Sequence, residues 1–233
     1  MKPILLLGAN FLRTQLVLIA IVLAYMICLT GFLAFHEQLP DLVFFVRQQA
    51  VYAVALGAMV MVTAIQNDRK SRRILSVLSK GIHRWQYIGG LLCGAVMIAG
   101  IFCLAVGLSA LWLAQQAGMP LAGLAELLLV LFLASAAGAS VALFCSIVLH
   151  PLLALAATGL ILFFPYFAQI RGWNPPGDLF PVAAAMHTVV NFGFHKADDN
   201  MWRIGAGAVI QTLVFWMAAS MAFARRDVTV ANE

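Results

Sequence analysis

Side chains able to do chemistry are sparse, and the densest charged group is one stretch: Asp68-Arg69-Lys70-Ser71-Arg72-Arg73-Ile74-Leu75-Ser76-Val77-Leu78-Ser79-Lys80-Gly81-Ile82-His83-Arg84-Trp85. Asp68 is able to cap a helix start and complement its positive end. Ile74, Leu75, Leu78 and Ile82 recur at helical spacing and form one apolar stripe. Gly81 is a natural stop. The stretch therefore reads as a short amphipathic helix, cationic at its start. Two chemistries suit it. Its Lys and Arg residues can hold a loop on the cytoplasmic face against anionic headgroups. Alternatively, its apolar stripe can seat in the groove of a soluble partner.

Elsewhere the side chains point away from catalysis. There is no G-x-S-x-G, no H-E-x-x-H and no carboxylate pair at helical spacing inside an apolar segment. There is also no G-x-x-x-x-G-K-[ST], so ATP binding through a P-loop is not expected of this chain. Cys28, Cys93, Cys103 and Cys145 lie in apolar segments without C-x-x-C or metal-ligand spacing, as small buried hydrophobes do. His36, His83, His150, His187 and His195 are scattered; His187 and His195 share one connection, as interfacial loop histidines or as a haem or metal contact. Among polar residues in apolar segments are Gln15, Tyr25, Gln48, Gln49, Tyr52, Tyr166 and Gln211, suited to interhelical hydrogen bonds or to a cavity lining.

The elements that must position these groups follow from composition. Hydrophobic residues make up 64% of the 233, charged residues 10%, and the mean hydropathy is +0.98. A soluble domain carries about 25% charged residues. The surrounding solvent must largely be lipid, where a helix pairs its own backbone groups. The apolar runs lack the two-residue alternation of barrel strands. Six spans are expected, at about 14–35, 42–65, 86–113, 123–149, 151–170 and 204–224, in a single domain over 1–233. The first is read as a retained span rather than a cleaved signal peptide. Met1 to Arg13 is expected to be a short interfacial helix offering Leu5, Leu6, Phe11 and Leu12 to lipid, with a frayed tail as the other reading. Gly90 and Gly94 form a G-x-x-x-G suited to close helix packing.

Ten of the 14 Lys and Arg residues fall on the side of both termini and the basic loop, which places that side in the cytoplasm. The connection from Arg171 to Arg203 is then external. Its middle, Phe180 to Phe194, is too apolar for a solvated loop and suits an interfacial or re-entrant path. Arg47 and Glu126 lie near outer ends of spans, and an ionisable group at mid-membrane, costing about 2.5–3.5 kcal/mol, is almost absent. Proton-coupled transport is therefore disfavoured.

The passage Ala64 to Leu92 resembles the loop between spans two and three of type-2 ABC transporter permeases. Asp68, Ile74-Leu75, Val77-Leu78, Ser79-Lys80-Gly81, Arg84 and Gly89-Gly90 stand where that family has an acid, an x-L-x-x-L run, a small turn, a basic residue and a glycine-lysine pair. The family's proline is absent, and Gly89-Gly90 replaces its glycine-lysine pair. Six N-in/C-in spans, an amphipathic N-terminal segment and a long connection before span six match that layout. The resemblance implies that Asp68, Arg69, Arg72, Arg73, Ile74, Leu75, Leu78, Ile82 and Arg84 couple to a separate P-loop ATPase, which would hold ATP and Mg. It implies a second permease copy or a sister permease, and a path past Gln48, Gln49, Tyr52 and Tyr166. Haem-exporter permeases are also six-span relatives, but no tryptophan-rich haem motif occurs here.

The expectation is a permease subunit of an ATP-driven exporter in a bacterial inner membrane, moving an amphipathic or lipid-linked cargo. No cofactor in this chain, no catalytic or metal residue and no nucleic-acid partner is expected. The alternative is a non-transporting scaffold whose basic loop recruits a cytoplasmic partner. A membrane enzyme with an unrecognised site is the weakest reading.

Overall fold

A computed structural model describes residues 2–36, 39–70, 74, 77, 79, 81–116, 123–172, 180–185 and 201–225. Among the described residues, seven long helices run in order: α1 (Lys2–Thr14), α2 (Leu16–His36), α3 (Leu39–Lys70), α4 (Arg84–Gln116), α5 (Leu124–Val148), α6 (Pro151–Ile170) and α7 (Met201–Arg225). No strand occurs among the described residues, in line with the all-helical expectation. The protein is built as a multi-pass membrane helix bundle.

Among the described residues, four segments are long and apolar enough to cross a bilayer: Val51–Asp68, Arg84–Leu113, Leu124–Val148 and Trp202–Arg225. A fifth exists if α1 and α2, bent by 62° at Gln15, count as one broken span. The apolar part of α6, Pro151–Pro165, is shorter than a span requires. α6 itself continues through Pro165 to Ile170, 20 residues in all.

α5 is the centre of the bundle and packs on α3, α4, α6 and α7. Its run of small residues, Ala134 to Ala142, is buried throughout. Small side chains let neighbouring backbones approach where the hydrophobic effect gives little drive. A Cβ on Gly57 of α3 would lie 3.1 Å from the Ser135 carbonyl, and one on Gly138 would lie 3.2 Å from Val54 Cγ1. The hydroxyls of Ser135, Ser140 and Ser146 donate to carbonyls of their own helix at 2.7–2.8 Å, so they bring no unmet polar demand into this core.

α1 packs along α4 instead of lying free on the membrane. Gly90 and Gly94 of α4 receive it: a Cβ on Gly90 would lie 2.6 Å from Leu7 Cβ, and one on Gly94 would lie 2.6 Å from Phe11 Cδ1. Gly8 completes the contact, its own missing Cβ facing the Gly94 amide at 3.2 Å. Leu5 and Leu6 are exposed as expected, but Phe11 is buried and Leu12 packs against the core. The expectation that all four meet lipid is thus corrected, because the glycine pair on α4 opens a seat for Phe11.

Candidate functional site at the basic end of the bundle

The end of α3, the start of α4, the end of α7 and the side of α1 meet at one pole. Asp68 lies in the last turn of α3, which continues to Lys70. It does not cap a new helix as expected. Its carboxylate is buried and accepts a hydrogen bond from the Tyr87 hydroxyl at 2.7 Å. An acid at a helix C-terminus opposes the macrodipole, and this charge-assisted bond offsets that cost. The Tyr87 ring stacks on Phe223 of α7, centroids 5.7 Å apart.

Arg84 begins α4, and its Nη1 donates to the Ala224 carbonyl at the end of α7, at 2.7 Å. The guanidinium thereby sits at the negative pole of α7, where a cation is stabilised. Around it the α4 N-terminus is closed by a reciprocal pair: the His83 amide donates to Gln86 Oε1 at 3.1 Å, and the Gln86 amide donates to the His83 carbonyl at 2.9 Å. Gly81, read as a stop, holds a φ of +75° that side chains disfavour.

The loop between α3 and α4 is anchored inward. Ile74 is 1% exposed. Val77 joins Leu7, Phe11, Asp68, Tyr87 and Leu91 around a small pocket. Of the residues expected to face a partner, Asp68 and Ile74 are thus covered by the chain itself, and Ile82 and Arg84 are half-buried. The burial follows from α1, whose Leu7 and Phe11 supply an apolar surface beside the loop. Arg69 lies in α3, its side chain outside the described residues, and Arg72, Arg73, Leu75 and Leu78 also lie outside them.

No protein-family model matches this chain, and no curated protein matches it.

The second expected group, on α3, divides. Gln48 Nε2 donates to the Tyr52 hydroxyl at 2.9 Å and lies 3.5 Å from the Tyr25 hydroxyl of α2. The Tyr25 and Tyr52 rings meet edge to face at 6.2 Å, and both are exposed. Gln49 turns the other way, is fully buried, and has no partner for either amide atom. The two glutamines are adjacent, so a helix sends them to different faces. Tyr166 falls in α6, with its side chain outside the described residues. His187 and His195 also lie outside them. Among the described residues no group of three His, Cys, Asp or Glu side chains is placed to hold a metal ion.

Sequence reasoning missed Tyr87, Phe223 and the Ala224 carbonyl. The only signal for Tyr87 was its place in the first turn of α4, on the face that returns toward α3. Tyr25 was noted as polar but not joined to Gln48 and Tyr52.

Proposed function

We propose that this chain is the membrane permease subunit of an ATP-driven exporter, docking a separate P-loop ATPase through its basic loop. In this reading the chain crosses a bacterial inner membrane six times, with both termini in the cytoplasm. It pairs with a second copy or a sister permease. ATP and Mg belong to the ATPase. The cargo is amphipathic or lipid-linked, and the Tyr25, Gln48 and Tyr52 cluster faces its path.

One observation carries the reading: the two helices that bracket the basic loop are tied to each other and to α7. Tyr87 joins Asp68 of α3 to Phe223 of α7, and Arg84 holds the α7 C-terminus. A loop that only satisfied the positive-inside bias would need no such ties. A loop that transmits force does, because displacement at its surface must move whole helices. In this reading Arg69, Arg72, Arg73, Leu75 and Leu78 contact the ATPase, while Asp68, Ile74 and Arg84 are held by the bundle.

The test is co-purification with a P-loop ATPase encoded beside this gene, together with ATP hydrolysis by the complex. Arg72→Glu with Arg73→Glu, or Leu75→Asp, is expected to abolish both association and stimulated hydrolysis. Retention of both by these variants would reject the docking role. Association without any change in hydrolysis would instead identify a recruiting scaffold.

A further inference from the structure

At the pole opposite the basic loop, α5 and α7 enclose a groove of about 230 Å³. Each helix lines it with residues spaced i, i+3, i+4, i+7. On α5 these are Glu126, Leu129, Val130 and Leu133, and on α7 Trp202, Gly205, Ala206 and Val209. The helices run parallel, since Leu133 meets Gly205 near one end and Phe144 meets Phe215 farther along. The groove thus follows two helical turns, about 10 Å by the rise per residue, from the first turns of both helices toward the bundle centre.

Its lining is uneven in a telling way. Of the eight described residues that line it, seven are apolar or aromatic, and the only charge among them is Glu126, in the first turn of α5. Among the described residues no cation pairs with it. Gly205 and Ala206 leave the groove open: a Cβ on Gly205 would already lie 3.3 Å from Leu133 Cδ1. Trp202, at the outer end, is an exposed aromatic of the kind that sits at the headgroup level of a bilayer. It also offers a π face to a cation.

We propose that this groove binds a phospholipid with a primary-amine headgroup. The ammonium pairs with Glu126 beside Trp202, and one acyl chain lies along Leu129, Leu133 and Val209 past the small residues of α7. Charge disfavours an anionic headgroup, and the N–H donors of a primary ammonium, which a trimethylammonium lacks, single out this occupant. A wholly apolar groove accepts any acyl chain, whereas an anionic lipid would bring its net negative charge to Glu126. A primary ammonium neutralises that half-buried carboxylate and donates N–H bonds to it. This inference does not depend on the exporter reading, since it concerns the opposite pole and needs no ATPase.

The experiment is native mass spectrometry of the detergent-purified full chain, titrated separately with phosphatidylethanolamine, phosphatidylcholine and phosphatidylglycerol. The expected result is a single high-affinity adduct with phosphatidylethanolamine, preferred over phosphatidylglycerol by roughly fivefold, the upper end of what one surface-level charge pair confers. Glu126→Gln should erase the preference while leaving the weak adducts common to all three lipids. Ala206→Trp, which fills the groove without touching the charge, should remove the high-affinity adduct; a melting temperature within a few degrees of wild type in detergent shows that the variant is folded. Equal binding of the three lipids by the wild type would overturn the proposal. So would a preference that survives both variants.

Discussion

Tyr87 shows how one hydroxyl settles what a buried acid does. Asp68 has a charge at the wrong end of a helix and little contact with solvent. Its bond to Tyr87 spans 19 residues of sequence and joins two helices across the loop between them. Removing that donor takes one hydrogen bond from a charged, buried carboxylate, and such a bond contributes about 1.5–3 kcal/mol. Tyr87→Phe should therefore lower the melting temperature in detergent. Asp68→Asn should cost less, because the amide oxygen can still accept. Equal melting of Tyr87→Phe and the wild type would show that the bond contributes nothing. Asp68 itself was legible as a special residue, since an acid beside Arg69 and Lys70 at the end of an apolar run is conspicuous. Its job was not, because capping and tertiary pairing use the same oxygen atoms and local sequence does not distinguish them.

At the scale of elements, α1 is held by shape. The G-x-x-x-G of α4 could be read as a packing site, but nothing local names the helix it receives. Periodicity gave α1 an amphipathic pattern equally suited to a membrane surface and to a protein face. The structure chooses the protein face for Phe11 and leaves Leu5 and Leu6 outward. Gly94→Ala should disrupt this seat, because the new methyl group would meet both Phe11 Cδ1 at 2.6 Å and the Gly8 carbonyl at 3.0 Å. Overpacking of that kind costs about 1–3 kcal/mol. The expected consequence is tryptic cleavage after Arg13, seen as a shortened chain, while the wild type resists at the same protease dose. Phe11→Ala alone should also loosen α1. Combined with Gly94→Ala, its effect should be less than additive, since the smaller side chain relieves one of the two clashes. Strict additivity would mean that the two residues do not share a seat.

For the whole molecule, sidedness is the decisive quantity. Ser79, exposed in the basic loop, and Arg171, exposed after α6, lie at opposite ends of the path in a six-span layout. With the native cysteines replaced by serine, Ser79→Cys should react with a membrane-impermeant maleimide only in inside-out vesicles. Arg171→Cys should react only in intact cells with a permeable outer layer. Reaction of both from one side would remove one crossing between them and reject the six-span layout. This prediction rests on the charge bias, a property of the entire chain, and no single helix tests it.

Composition alone determined that the chain lives in lipid and is helical, because few charges and long apolar runs leave no other way to satisfy the backbone. The residue pattern also located the basic loop and the glycine turn at Gly81. The tertiary structure decided which described residues at that end are covered. It buried Ile74, tied Asp68 to Tyr87, and brought Arg84 to Ala224 across 140 residues. It also set the stripe of Glu126 beside that of Trp202, two segments whose spacing along the chain carries no hint of contact. Helix periodicity reports the face a residue occupies, since that depends on neighbours three and four positions away. Which helix covers that face depends on packing between distant segments, and only the folded bundle supplies it.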